Sequence, residues 1–535
     1  MDASISWITD AVVGRCPSVS PDTPAIAVGS GDPITYGELR QRELSFARAL
    51  LARGVRKGDR VAILLRNSAD YIAWLLAIGR IGAICVRMNW RLTGVELVFQ
   101  AQDSRPVVFV FDPESVEAVG LVHAEAGVMH FVINGGFAPE WATTVQDFVT
   151  TRSEEPFPNV NAEDPLTLMY TSGTTGKPKG TLLTHGNTLW IGAIQIMSWK
   201  LDRATVALNM GPLFHAGGFE VLILPTLIAH GLVVTYPSGG FALEGLLQAA
   251  RRHQATAMLA YSFLLYEFAT LDGVEEKVPA SLRRIVTGGD TIMPWAYDVF
   301  EEKLPKVNLT QSYSLTEGGA VAVHLDHSIA RGHESSVGIP QPMTQVQVLD
   351  ENGAECEPGE AGEICLRSPG VSVGYWERPE ATAETFVDGW CRTGDLGRMD
   401  AGGFLTLAGR AKDMIRSGGE NVYPAEIEKL LTELPDVHDA AVIGVPHEKY
   451  VEVGCAVVVL EQDSQTDVED LFAFLDSKLA RYKIPKHIVF VEELPRNAGG
   501  KVLKAQLRKE YSHLGNESPI TGTINPNTRT TTQGA

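Results

Sequence analysis

The segment YTSGTTGKPKG at residues 170–180 limits what this chain can fold into more than any other stretch. Glycines, hydroxyl side chains and two lysines crowd one loop that can wrap a polyphosphate, so an anion site is its natural reading. The apolar run LTLMY at 166–170 leads into it and reads as a strand, which places the loop at the end of a buried strand. It is not a Walker A loop: only Thr174 and Thr175 separate Gly173 from Gly176, and Pro178 follows Lys177 where that motif needs Ser or Thr. Pro178 also disfavours helix at Lys177, which removes a helix N-terminus as the main phosphate anchor at that point. The alternative, a surface turn, leaves the charge of two lysines without a use.

Around this loop, helix and strand signals alternate. Thr35 and Glu38 form a capping-box pattern before a helix to about Arg53, with Gly54 as its stop. Strands are expected at 61–65 and 106–111, and between them a helix carries Tyr71, Trp74, Leu75 and Ile78 on one face. Such alternation predicts an α/β fold with largely parallel sheets. From 345 to 407, short alternating segments broken by Gly and Pro predict a small β-rich subdomain. A compact α+β unit follows: Pro424 opens a helix with Ile427, Leu430, Leu431 and Leu434 on one face, then strands at 440–445 and 456–460 and a helix over 467–479. The expected organisation is a large domain of α/β sheet subdomains with the β-rich subdomain over 1–410, then a small mobile α+β domain over 411–512. Residues 513–535, dominated by Asn, Thr, Ser, Gly and Pro, are expected to be a disordered tail.

A net charge of −20 over 535 residues disfavours a broad nucleic-acid surface, which needs clustered Lys and Arg. Six scattered cysteines without a C-x-x-C suggest neither a zinc site nor a disulfide framework, and they fit a reducing, cytoplasmic setting. No basic start followed by an apolar run is present, so no secretory signal is expected. The most apolar stretch, 221–234, is interrupted by Pro225, His230 and Gly231 and is too short to span a bilayer, so it reads as buried core.

Beyond the phosphate loop stand YSLTE at 313–317, TGD at 393–395, GRAKD at 409–413 and a terminal GK at 500–501. With these motifs in this order the chain resembles the adenylate-forming superfamily, which includes acyl- and aryl-CoA synthetases, firefly luciferase and peptide-synthetase adenylation domains. The resemblance covers nearly all of residues 10–511. In that family a carboxylate attacks the α-phosphate of ATP to give an acyl-adenylate and pyrophosphate, and a thiol then displaces AMP.

The resemblance implies a role for each matching residue. Thr171, Ser172, Gly173, Thr174, Thr175, Gly176 and Lys179 would hold the β- and γ-phosphates. Thr316 would reach the α-phosphate, and Glu317 is the hard carboxylate that Mg²⁺ takes beside phosphate oxygens. Tyr313 offers a face for adenine, with Gly288, Gly289 and Asp290 approaching the base from its other side. Asp395 can accept from the ribose hydroxyls, and Arg410 can reach ribose or phosphate. Lys501 looks like the family's catalytic lysine, bridging the acid carboxylate and the α-phosphate. Lys412 matches the hinge of the small domain, and Gly418 and Gly419 would then approach the pantetheine arm of coenzyme A. His215, in PLFHAGG at 212–218, sits where the family places a ring at the acyl pocket; a histidine satisfied in the core is the alternative. Phe219, Tyr261 and Phe263 are candidate pocket walls.

Departures from the family pattern bear on substrate. Ser314 stands where the commoner motif has Gly and where acetate enzymes carry a Trp, which implies an acid larger than acetate. PLFHAGG lacks the Asp that holds an amino group, which disfavours α-amino acids, and no carrier domain is expected after residue 511. The chain is therefore expected to be an ATP- and Mg²⁺-dependent carboxylate–CoA ligase for a hydrophobic, medium-to-large acid, fatty or aromatic, with a place in fatty-acid or lipid metabolism and a homodimer as a further expectation. The alternatives are a ligase passing its acyl-adenylate to an amine or a carrier protein, and a catalytically dead binding protein on this fold.

Overall fold

The computed structural model describes residues 6–14, 19–171, 178–240, 242–288, 292, 294–410, 413–417, 420–447, 450–462, 464–479, 481–496 and 501–516. The chain divides into two compact units. One comprises Met1–Gln347, Cys365–Thr393 and Asp400–Leu405, and the other Val348–Ile364, Gly394–Met399 and Thr406–Ala535.

The first unit holds two large mixed sheets. One runs Gly374–Tyr375, Lys179–Thr184, Pro165–Thr171, Ile84–Arg87, Arg60–Leu64, Val108–Phe111, His130–Ile133 and Thr143–Thr144. Its pairs are parallel from Pro165–Thr171 to the far edge, whereas Pro165–Thr171 and Lys179–Thr184 form an antiparallel hairpin around the phosphate loop. The other runs Ile339–Pro340, Val323–Asp326, Asn308–Tyr313, Arg284–Gly288, Ala257–Leu259, Val206–Asn209, Leu232–Thr235, Pro24–Val28 and Ile34–Thr35, parallel in its centre and antiparallel at both edges. Central strands such as Val108–Phe111 are buried at every residue, as expected where helices cover both faces of a parallel sheet.

Local signals act as the sequence implies at the first long helix, Tyr36–Ala52: Thr35 Oγ1 accepts from the Glu38 N–H and Glu38 returns the bond to the Thr35 N–H at 2.7 Å. The next helix, Ala69–Arg80, departs from expectation. It is buried on all sides rather than on one face, because it is packed against the helices Trp7–Val13 and Tyr36–Ala52 as well as the sheet. Trp74 stacks on Phe46 with ring centroids 4.1 Å apart. Truncating so large a buried ring costs on the order of 3–5 kcal/mol. The apolar stretch near 221–234 is core, formed by the helix Ile223–Ile228 and the strand Leu232–Thr235.

Strands fill the segment expected to be β-rich, at Gln345–Leu349, Ala361–Arg367, Phe386–Val387, Trp390–Met399 and Leu405–Arg410. The two-unit division runs through this segment.

In the second unit, Val437–His447 pairs antiparallel with Val451–Leu460, which also pairs with His487–Phe490 in parallel. Alternation sends Val442 with Ile427, Leu431, Leu471 and Leu475 to one apolar cluster, and Ala441, Ile443 and Val445 with Leu507, Tyr511 and Leu514 to another. Pro424 is the first residue of its helix and Asp467 caps the helix Val468–Lys478. Order extends past the expected tail boundary, since Ser512–Asn516 forms a 3₁₀ turn whose Leu514 is fully buried; the rest of that tail lies outside the described residues.

Candidate active site

The ends of the phosphate loop are pinned by the hairpin. Thr171 lies opposite Lys179 in register, and Gly180 opposite Tyr170. Tyr170, the residue before the loop's first Thr, donates its hydroxyl to Asp103 at 2.7 Å, and Arg378 pairs with the same carboxylate. The Trp376 backbone N–H donates to Gly180 O at 2.7 Å and Ser372 Oγ donates to Leu182 O, so the segment 372–376 lies along the hairpin. Residues 172–177 lie outside the described part, which removes Ser172, Gly173, Thr174, Thr175 and Gly176 from direct view.

Glu317 enters beside this hairpin from the turn after the strand Asn308–Tyr313. It is only 6% exposed. Its Oε1 accepts from Thr171 Oγ1 at 3.0 Å, Thr181 Oγ1 at 3.1 Å and the Tyr375 hydroxyl at 3.2 Å. Burial, and secondarily the Glu317 charge, push the Tyr375 hydroxyl pKa up, so it remains a donor. Oε2 accepts no hydrogen bond from the described residues. A hard carboxylate oxygen without a partner among the described residues, at this hairpin, is a donor type that would suit Mg²⁺. Lys179 Nζ lies 5.1 Å from the centroid of the Tyr375 ring, a cation–π contact that holds the ammonium at the hairpin mouth. Thr316 is half-buried in the same turn, and Tyr313, 8% exposed, ends the strand before it.

Gly288 is the last residue of the strand Arg284–Gly288, and a Cβ there would lie 2.8 Å from Ser312 Oγ on the neighbouring strand. Its lack of a side chain thus serves strand packing. Gly289 and Asp290 lie outside the described residues.

His215 caps the four-residue helix Ala216–Phe219: its Nδ1 accepts from the Gly217 N–H at 3.1 Å. The ring reaches solvent, yet it is hemmed by protein, and that crowding together with Arg87 and Arg91 holds its pKa below the usual range. An accepting Nδ1 requires the neutral ring with its proton on Nε2. Gly218 is small for a packing reason, because a Cβ would fall 2.0 Å from Pro212 O. Phe219, 1% exposed, packs in a core cluster. Tyr261 is half-buried, with its hydroxyl against Gly211, while the Phe263 side chain lies outside the described part.

Asp395 and Lys501 belong to the second unit. Asp395 is 8% exposed within the strand Trp390–Met399, and Lys501 is exposed just before the bridge between Val502 and Arg496. Arg410 ends the strand Leu405–Arg410, but its side chain, Lys412, Gly418 and Gly419 lie outside the described residues. Sequence reading missed Tyr375, Thr181 and the buried cation Arg87. The sign of the last was available, since an Arg that ends the apolar run ICVR must find a buried partner.

No helix among the described residues is long and apolar enough to cross a membrane. Residues 15–376 match the AMP-binding enzyme family, and residues 426–501 match the AMP-binding enzyme C-terminal domain. A feruloyl-CoA synthase from Amycolatopsis sp is 37% identical over 92% of this chain and 97% of its own. An indoleacetate–CoA ligase from Aromatoleum aromaticum is 35% identical over 93% and 97%. ATP-bound MatB from Rhodopseudomonas palustris, 29% identical, superposes with a TM-score of 0.85 over 96% of this chain and 100% of that one.

Proposed function

The chain belongs to the AMP-binding enzyme family, and from that premise we propose that it is an ATP-dependent carboxylate–CoA ligase acting on a hydrophobic, medium-to-large aromatic acid. The observation that carries this reading is the full-length similarity to ligases named for feruloyl and indoleacetyl groups. Ser314, where the acetate enzymes carry a Trp that shortens their pocket, agrees with it.

Two steps balance. The acid carboxylate attacks the α-phosphorus of ATP, the bond to the β-phosphate oxygen breaks, and acyl-AMP and pyrophosphate form. The CoA thiol then loses its proton and attacks the acyl carbon, and AMP leaves. In the first step Thr171, Lys179 and the loop at 172–176 hold the β- and γ-phosphates, Thr316 contacts the α-phosphate, and Glu317 would hold Mg²⁺, which neutralises phosphate charge when bound. Tyr313 and the 288–290 turn take the adenine, and Asp395 and Arg410 take the ribose side. Lys501 meets charge growing between the acid and the α-phosphate, a contact worth most in the transition state. Lys412 is the proposed hinge between the two half-reactions, and Gly418 and Gly419 would admit the thiol in the second step.

A panel of aromatic, fatty and short carboxylic acids, incubated with ATP, Mg²⁺ and CoA and read by mass spectrometry, tests the reading. Aryl and arylalkanoyl thioesters are expected to dominate. Pyrophosphate release without a CoA thioester would move the acceptor to an amine or a carrier protein.

A further inference from the structure

The acyl-pocket segment 213–222 is held by a buried ion pair from a different part of the chain. Arg87, at the end of the strand Ile84–Arg87, and Glu220 are both fully buried, and their side chains pair directly. The same guanidinium donates to Leu213 O at 2.6 Å, His215 O at 3.3 Å and the Tyr71 hydroxyl oxygen at 3.3 Å, and lies 5.1 Å from the Phe219 ring centroid. One planar fork therefore touches the segment at Leu213, His215, Phe219 and Glu220.

Other buried side chains complete the clamp. Asn67 accepts from the Leu213 N–H at 2.9 Å, and Gln195 donates to Glu220 O at 2.7 Å and accepts from the Leu222 N–H. Leu222 itself sits at φ +62°, a conformation that a bulky residue adopts only where its surroundings impose it. Two buried charges are a poor source of stability, because desolvation offsets most of their attraction. What they supply is geometry: a fork that satisfies a carboxylate and two carbonyls fixes a backbone that lacks regular strand partners.

We propose that Arg87 and Glu220 are positioning residues that set the shape of the acid pocket by fixing the backbone that carries His215. The pocket assignment rests on the ligase reading; the clamp does not.

The test uses the full-length chain. Arg87→Met alone leaves an uncompensated buried carboxylate and can fail to fold, so the informative variant is Arg87→Met with Glu220→Leu, which removes both charges. It is expected to fold with an unchanged melting temperature, while amide exchange over 213–222 accelerates at least about tenfold and the KM for the acid rises on the order of ten- to a hundredfold, with the KM for ATP unchanged. Arg87→Lys keeps the charge without the fork and is expected to rescue stability but not the acid KM. Wild-type exchange over 213–222 in the double variant overturns the proposal, and so does faster exchange with an unchanged acid KM. Exchange is read without turnover, so a wild-type chain that forms no thioester would overturn the ligase reading while the clamp is still decided.

Discussion

The Tyr375 hydroxyl lies 3.2 Å from Oε1 of Glu317, on the oxygen that also takes hydrogen bonds from Thr171 and Thr181. Three hydroxyls on one oxygen restrict the carboxylate's rotamer, and its other oxygen takes no hydrogen bond from the described residues. Tyr375 comes from a segment 58 residues further on, so the carboxylate is held by distant parts of the chain.

Removing that charge should cost most. Glu317→Gln keeps the shape but not the negative oxygen, and adenylation should fall on the order of a hundredfold or more, with partial recovery at raised Mg²⁺. Tyr375→Phe removes one of three donors and should cost on the order of tenfold to a hundredfold, again with a higher Mg²⁺ requirement, since a hydrogen bond to a charged group contributes about 1.5–3 kcal/mol. Pyrophosphate exchange across a Mg²⁺ titration checks both. Wild-type exchange by Glu317→Gln at low Mg²⁺ would place the metal elsewhere.

Pocket depth is tested at Ser314. This half-buried side chain makes only a local bond to Leu315 O at 3.3 Å among the described residues. Ser314→Trp adds a large ring that should shift preference toward short acids by excluding longer ones sterically. An unchanged acid profile from the same panel would show that Ser314 does not border the acid.

Acid sensitivity should trace to His185. The ring is fully buried at the start of the helix His185–Trp199, and neither nitrogen has a hydrogen-bond partner among the described residues. Burial first, opposed by Asp164 and reinforced by Lys57, pushes its pKa from 6.5 down to about 4. The unfolded chain therefore binds this proton at a pH where the folded chain does not. Stability is fully present above pH 6.5 and is lost as the pH falls toward 4, by up to about 3 kcal/mol. His185→Leu should flatten the slope of unfolding free energy between those limits. Equal slopes in urea titrations of wild type and variant would contradict this.

Local signals were legible in the sequence where they act locally. The capping box at Thr35 and Glu38, Pro424 at its helix start and the strand before the phosphate loop all depend on neighbours a few residues away. Helix Ala69–Arg80 was half legible, because periodicity marks one apolar face and cannot show that neighbouring helices cover the others. Glu317 could be named from its motif, but its three hydroxyl partners could not. Arg87 and Glu220 each stand as a charge in an apolar run, which signals a buried partner, yet their pairing joins positions 133 residues apart. The burial of Phe219 was hidden for the same reason: only tertiary contacts show that its ring packs in a core cluster.

The proposed reaction requires one chain to make an acyl-adenylate and then a thioester, with Lys501 serving the first step. The most direct measurement assays the two half-reactions separately in Lys501→Ala. Pyrophosphate release with acid and ATP is expected to fall on the order of a hundredfold to a thousandfold, or about 3–4 kcal/mol, while thioester formation from preformed acyl-AMP and CoA stays near wild type. Equal loss of both steps, or retention of pyrophosphate release, would contradict it.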